Sequence, residues 1–85
     1  MSEFEVTYQP VAEDQLADAW LTAPDRNAVT TAQATIDRLL AADPHGHGRH
    51  LTEGLFTLHV PPLQVYFTVD DERKHVWVEA VRTNP

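Results

Sequence analysis

Cysteine is absent from this chain of 85 residues, and glycine occurs only three times. A protein without thiols has neither disulfides nor thiolate metal sites, and small secreted domains usually depend on such cross-links. A basic N-terminal stretch followed by an apolar run is missing as well, and no segment approaches the length of a membrane span. We therefore expect a cytoplasmic protein that is neither exported nor inserted into a membrane.

Basic residues are also scarce, with 6 Lys and Arg against 13 Asp and Glu and a formal net charge of −7. Such a charge repels nucleic-acid phosphates and favours a basic partner, so direct DNA binding is not expected. The alternative interpretation is that the surplus carboxylates simply keep a small protein soluble.

Apolar residues are plentiful by contrast, at 42% of the sequence, and they include tryptophan, tyrosine and phenylalanine. Burial of these residues can offset the conformational entropy that the chain loses on folding, which argues against disorder. A chain of this length has room for one hydrophobic core, so residues 1–85 are expected to form a single domain. No cofactor is expected.

The C-terminal half alternates apolar and polar residues, which is typical of strands with one buried and one exposed face. The alternation predicts strands at Phe56–Val60, Leu63–Val69 and His75–Val81. Pro61-Pro62 joins the first two, and the charged segment 70–74 joins the last two. The three strands form a predicted antiparallel meander.

The N-terminal half begins with a predicted strand and a predicted helix. Phe4–Tyr8 alternates and stops before Pro10, which indicates a strand. Ala12–Leu21 follows with helical spacing and acidic residues in its first turn. Three large apolar residues of this helix are predicted to share one side, Leu16, Trp20 and Leu21.

A second, longer helix is predicted to run to Ala42, where Asp43-Pro44 stops it, with either Asp25 or Asn27 as its N-terminal cap. Two helices cannot bury their apolar stripes against each other alone. We therefore expect both to cover one face of the sheet, which gives an α+β fold whose opposite face is open.

The order of these elements resembles the RelE/ParE toxins of bacterial type II toxin-antitoxin systems. Four stretches carry the resemblance: VTYQP at 6–10, LLAADP at 39–44, LTEGLFTL at 51–58 and VYFTVDD at 65–71. It covers nearly the whole chain and implies an N-terminal strand, two helices and a three- to four-stranded antiparallel meander with helices on one face. It also implies an antitoxin protein as a partner.

Two activities occur in that family. RelE-like members are ribosome-dependent mRNA endonucleases, whereas ParE-like members poison DNA gyrase without cutting nucleic acid. The resemblance therefore implies either the ribosome with its mRNA or gyrase as the target. The endonuclease chemistry needs cations on the open sheet face, because RNA cleavage develops negative charge on the phosphate.

The usual cations are missing from this sequence. Carried over from the resemblance, the cationic positions fall on Thr57, His59, Gln64 and, at or near the C-terminus, Asn84. Arg82 lies two residues from the last of these. The chain also ends at Pro85, where endonuclease members continue with a segment that supplies a tyrosine. Only a re-sited catalytic group would give RNase activity.

Four residues are candidates for such a re-sited group: His59, Tyr66, Arg49 and Arg82. The histidine would act as general base, the tyrosine would hold or protonate a phosphate oxygen, and the arginines would bind phosphate. The competing interpretation is structural. In it His59 is a half-exposed strand residue, Tyr66 packs across the strands against Trp77, and the arginines pair with carboxylates such as Glu53 or Glu79.

A protein-binding surface is the other interpretation of the open face. Trp77 alternates with Val76 and Val78, which places the indole on this face beside Tyr66. Exposed aromatic side chains commonly anchor a protein ligand, and they also stack on nucleic-acid bases. The nearby Glu79 and the few cations favour a protein. The predicted binding residues are Trp77, Tyr66, Gln64, Thr57 and Glu79.

Residues 45–50 are predicted to be irregular, followed by a short strand at Leu51–Glu53. The segment contains an H-x-H-x-x-H pattern, formed by His45, His47 and His50, and three imidazoles could hold zinc or nickel. No metal site is expected, however. A flexible polar loop is favoured, because the two glycines make the segment costly to order.

Three hypotheses follow for the function. The protein is a toxin-like partner of an antitoxin that acts by binding a protein, or a diverged ribosome-dependent mRNA endonuclease, or a non-toxic interaction module of the same fold. The first is favoured, because the cations required for cutting are replaced.

Overall fold

Five strands form one mixed sheet in the computed structural model, which describes residues 3–83. The strand order is β1-β5-β4-β3-β2, with β1 parallel to β5 and the other neighbours antiparallel. The elements in chain order are β1 Glu5–Tyr8, α1 Pro10–Thr22, α2 Arg26–Ala42, α3 Pro44–His47, β2 Arg49–Thr52, β3 Leu55–Val60, β4 Leu63–Asp70 and β5 His75–Thr83. The predicted α+β order of a strand, helices and then a meander is confirmed.

Helix α1 begins with Pro10, whose fixed φ suits the first turn, and it packs against β5 through small residues. Ala12 and Ala19 are its fully buried side chains, whereas Trp20 and Leu21 are 41% and 58% exposed. Trp20 and Leu21 do share one side of α1 with Leu16, as predicted, and line a groove with it, but the fully buried side is formed by the two alanines instead. Alanines allow the helix to approach the sheet closely, and this contact decides which side of the helix is buried.

The side chain of Gln15 on α1 completes the edge of β5. Strand β1 ends at Tyr8, opposite Val78, so the rest of β5 has no strand on that side. The Oε1 atom of Gln15 accepts a hydrogen bond of 2.7 Å from the backbone N–H of Val81. This side chain thus satisfies a strand donor that the sheet leaves unpaired.

Helix α2 follows its predicted pattern. Of the two predicted caps, Asp25 is the one used, because its Oδ1 accepts from the backbone N–H of Ala28 at 3.2 Å. Four residues at helical spacing are buried, namely Val29, Ala32, Ile36 and Leu40. The helix ends where the backbone N–H of Asp43 bonds to the carbonyl of Leu39 at 2.9 Å.

The segment after α2 is more ordered than the sequence indicates. Residues 44–47 form one helical turn, and the Oδ1 atom of Asp43 caps it by accepting from the backbone N–H of Gly46 at 2.9 Å. Strand β2 then begins at Arg49 rather than Leu51. A Cβ atom at Gly48 would lie 2.4 Å from Cζ of Phe67, so this glycine allows close packing. The predicted irregular loop is therefore wrong.

A β-bulge in β5 changes the simple alternation. Phe67 is opposite Val78 but Tyr66 is opposite Ala80, so Glu79 is an extra residue in the ladder. Beyond the bulge Val81 returns to the buried face opposite Val65. The buried face carries the core residues of the sheet, which are Leu58, Leu63, Val65, Phe67, Val76, Val78 and Val81.

Within residues 3–83 the longest helices are too short and too polar to cross a membrane.

Candidate functional site

The open face of the sheet lies opposite the helices and is built from two neighbouring register rows. One row runs across four strands through Arg49, Thr57, Tyr66 and Ala80. The next row runs through His59, Gln64 and Arg82. Side chains of residues directly opposite each other share a face, so the structure brings His59, Tyr66, Arg49 and Arg82 onto one surface.

The centre of this surface is neutral. Thr57 is only 4% exposed, and its Oγ1 donates to the carbonyl oxygen of Val65 at 2.9 Å. The Nε2 atom of Gln64 donates to the same Oγ1 at 3.1 Å. Two of the positions where the resemblance implies cations thus hold side chains that are hydrogen-bonded to each other. Asn84 lies outside the described residues.

Trp77 and Tyr66 share the open face but do not pack against each other as a cross-strand pair. The register places Tyr66 opposite Ala80 and Trp77 opposite Thr68. The indole instead stacks on the ring of His75, with centroids 4.1 Å apart and planes at 22°. The predicted Tyr66–Trp77 pair is therefore wrong, because the bulge offsets the two strands between these residues.

Carboxylates surround the stacked rings. Glu79 Oε2 accepts from Thr68 Oγ1 at 3.2 Å, and Glu5 Oε1 lies 3.7 Å from Nδ1 of His75. The Nε2 atom of His75 lies 2.8 Å from Oγ1 of Thr7, which fixes the ring. The sequence interpretation missed Glu5, Thr7 and His75, since no local pattern reveals that the first strand pairs with the last.

Cations occupy the opposite end of the open face. Neither Arg49 nor Arg82 forms an ion pair with a carboxylate of residues 3–83, so the predicted pairs with Glu53 or Glu79 are absent there. The open face thus has a basic end at Arg49, His59 and Arg82. We call the other end, formed by Glu5, Thr7, Thr68, His75, Trp77 and Glu79, the acidic aromatic end.

No family model matches the chain, and no curated protein matches it in sequence. Solved structures match over nearly its whole length. A chain of the RelBE2 toxin-antitoxin complex from Mycobacterium tuberculosis has a TM-score of 0.83 at 17% identity, covering 99% of this chain and 94% of that one. The chain has the RelE/ParE toxin fold. This confirms the architecture implied by the four sequence stretches.

Two further structures show the breadth of that fold. A chain of the chromosomal ParDE system from Pseudomonas aeruginosa has a TM-score of 0.69 at 16% identity, covering 98% of both chains. A mutant of the Escherichia coli toxin RelE in the free state also has a TM-score of 0.69, at 11% identity, covering 98% of this chain and 84% of that one. At such identities the likeness establishes the fold, and the activity depends on the site.

The histidines of the predicted metal pattern do not converge in this version of the toxin fold. His45 and His50 each place an imidazole edge-on to Phe56, with centroids 5.2 and 5.3 Å from that ring. His45 Nε2 also lies 2.8 Å from Oδ1 of Asp71, and His47 is exposed. In the part of the chain that the structure describes, no group of three His, Asp or Glu side chains is arranged around a metal position.

A groove on the helix side was not predicted from the sequence. It encloses about 670 Å³ between α1, α2 and β1, and Leu16, Trp20 and Val29 contribute to its walls. The guanidinium of Arg26 lies 4.6 Å from the centre of the Trp20 ring. The hydrophobic pattern of α1 marks Leu16 and Trp20 as one side of the helix, but it does not show that small residues are buried on the neighbouring side.

A half-buried, hydrogen-bonded pair of side chains lies next to this groove. The Oη atom of Tyr8 donates to Oδ1 of Asp37 at 2.8 Å and joins β1 to α2. Burial raises the pKa of Tyr8 above its ordinary value, and Asp37 adds to this rise. Burial also raises the pKa of Asp37, although the hydrogen bond from Tyr8 opposes the rise. The pair is a structural link between the helix layer and the sheet.

Proposed function

We propose that this protein is the toxin-like component of a toxin-antitoxin pair, that it acts by binding a protein, and that an antitoxin neutralises it. The fold supports the class, because the matched solved structures include the RelBE2 toxin-antitoxin complex and the ParDE system. The proposed place of action is the cytoplasm, in agreement with the cysteine-free composition.

The neutral pair at the centre of the open face is the observation that favours protein binding over RNA cleavage. Thr57 and Gln64 are hydrogen-bonded to each other where RNA cleavage would need positive charge. Trp77 and Tyr66 lie on the same face with part of their surface exposed. Aromatic side chains of this kind anchor protein ligands. Exposed Trp20 and Leu21 beside the helix-side groove add a second apolar surface for an antitoxin.

A diverged endonuclease is the second candidate, and one observation favours it. His59, Tyr66, Arg49 and Arg82 lie in adjacent rows of one face, so a general base, a phenol and two cations share one surface. The ribosome and its mRNA would then be the partners. It ranks second because the buried centre between these groups is neutral.

Growth of a bacterial host after induced expression tests the proposal. Expression of the protein alone should arrest growth, since a free toxin would occupy its target. Co-expression with the product of a neighbouring reading frame that encodes an antitoxin should restore growth, and the two proteins should co-purify. A double substitution on the open face, Y66A/W77A, should abolish the arrest. W20F on the helix side is the aromatic control and should leave the arrest unchanged when the protein is expressed without the antitoxin.

Normal growth at an expression level confirmed by immunoblotting would contradict toxicity. If the antitoxin candidate still co-purified, the protein would be a non-toxic interaction module of the same fold.

A further inference from the structure

Trp77 lies on β5 between two small side chains of the neighbouring strands β1 and β4. Its register partners are Thr7 on β1 and Thr68 on β4. Neither threonine is large enough to cover an indole, and Trp77 keeps part of its surface exposed. His75 stacks on one side of the ring at 4.1 Å and is itself held by Thr7 at 2.8 Å. The indole is therefore a rigid, accessible platform.

Carboxylates lie on both sides of this platform along the strand. The Glu79 carboxylate reaches Thr68, the register partner of Trp77, and so lies beside the indole on the side away from His75. Glu5 lies opposite His75, and its side chain is 80% exposed. Among the described residues no Lys or Arg pairs with either carboxylate. Their charge is available to a ligand.

The nearest cations of the chain point elsewhere. Lys74 places its Nζ atom 4.9 Å from the centre of the Phe4 ring, and Phe4 packs against the core on the helix side of the sheet. Arg73 lies 3.9 Å from the carboxylate of Asp70. The acidic aromatic end is therefore not neutralised by the charged turn beside it.

An aromatic face next to carboxylates is a site for a planar cation. The guanidinium group stacks on an indole through cation–π attraction, and its N–H fork binds a carboxylate. The chain as a whole carries a formal charge of −7, which attracts basic segments from a distance.

We propose that the acidic aromatic end binds an arginine side chain of a basic segment in a partner protein, with the guanidinium on Trp77 and paired with Glu79 or Glu5. This inference rests on the proposed protein-binding function and names the chemistry of the partner. In this proposal the partner segment docks on the acidic aromatic end of the open face, whereas the basic end would repel the same segment.

A peptide titration tests the proposal. The probe is an acetylated Gly-Arg-Gly-Arg-Gly amide, and the matched control peptide carries citrulline in place of arginine, which keeps the shape and removes the charge. The readout is the pair of indole N–H signals in ¹H–¹⁵N spectra, assigned with W77F and W20F. The arginine peptide should shift the Trp77 signal and leave the Trp20 signal in place, and the citrulline peptide should shift neither.

Substitutions identify the groups responsible. E79Q keeps an acceptor for Thr68 while removing the charge, and W77A removes the platform. Each should raise the dissociation constant by about fivefold or more. E13Q on α1 is the carboxylate control and should leave the constant unchanged, because Glu13 lies on the helix side. Equal weakening by E79Q and E13Q would overturn the proposal in favour of a net-charge effect. Equal shifts with the citrulline peptide would also overturn it, because citrulline has no positive charge to pair with Glu79 or Glu5.

The peptide assay involves neither a cell nor a toxin target. Its failure would remove the arginine site and leave the growth arrest and its rescue as the test of the proposed function. Normal growth together with specific peptide binding would contradict the proposed toxicity and support the arginine site.

Discussion

At the scale of single residues, the Tyr8–Asp37 pair makes stability depend on pH in a direction opposite to that of most carboxylates. Burial raises the pKa of Asp37 above its ordinary value of 3.8, so the folded protein holds this proton more tightly than the unfolded chain does. The contribution of such a group is fully present below the unfolded pKa and is lost as pH rises through the folded pKa.

The substitution D37N should remove this pH dependence. Asparagine still accepts the hydrogen bond from Tyr8 but carries no charge. The free energy of unfolding of D37N, compared with that of the wild type, should therefore increase as the pH rises from about 4 to about 7. Urea denaturation at several pH values measures the difference. D18N, on the exposed side of α1, is the matched control and should show no such trend.

A wild type that gains stability over D37N with rising pH would contradict the assignment of Asp37 as a carboxylate destabilised by burial.

At the scale of elements, Gly48 connects α3 to β2 and lies against the core. Its φ of −82° is open to any residue, so replacing it tests packing and not backbone strain. In G48A the new Cβ would meet Cζ of Phe67 at 2.4 Å and the carbonyl oxygen of Pro44 at 2.8 Å. The expected loss is about 1–3 kcal/mol of unfolding free energy, measured by urea denaturation.

G46A is the comparison for this prediction. The three atoms nearest its Cβ would all belong to the side chain of Asp43, which can rotate away with the loss of one helix cap, at a cost of about 1 kcal/mol. If G48A proved as stable as the wild type, the close contact with Phe67 would not restrict position 48 to glycine.

The elements also show which parts of the fold can be predicted from sequence. The strands within Phe56–Val81 were predictable because alternation with period two marks a sheet with one buried face. The helical turn at 44–47 was not, because glycine serves flexible loops and close contacts alike, and only the position of Phe67 tells them apart. The β5 bulge could not be predicted either, because a bulge is defined by the pairing with the neighbouring strand and not by the sequence of one strand.

The buried side of α1 illustrates a different difficulty. Large residues such as Trp20 dominate a hydrophobic pattern, while the contact itself is made by Ala12 and Ala19. The sequence could indicate a helix here and not its rotation, because rotation depends on how closely the helix approaches β5.

At the scale of the whole molecule, the four resembling stretches were enough to predict the toxin fold, because they contain the residues that set its turns and core. The candidate site was predictable as a face, and residues from three strands were correctly placed on it. The acidic aromatic end was only partly predictable, since Glu5 and Thr7 reach Trp77 through the long-range pairing of β1 with β5. Activity does not follow from the fold, which is shared by proteins with different site residues.

We propose that this molecule, which has the toxin fold, acts by binding a protein rather than by cutting mRNA. The decisive measurement is the mapping of mRNA 5′ ends in a host shortly after induction of the protein. Growth should stop without new 5′ ends in translated messages, and the pattern should equal that of the H59A/Y66F variant. New cleavage sites within codons that disappear in H59A/Y66F would contradict the claim and establish the re-sited endonuclease.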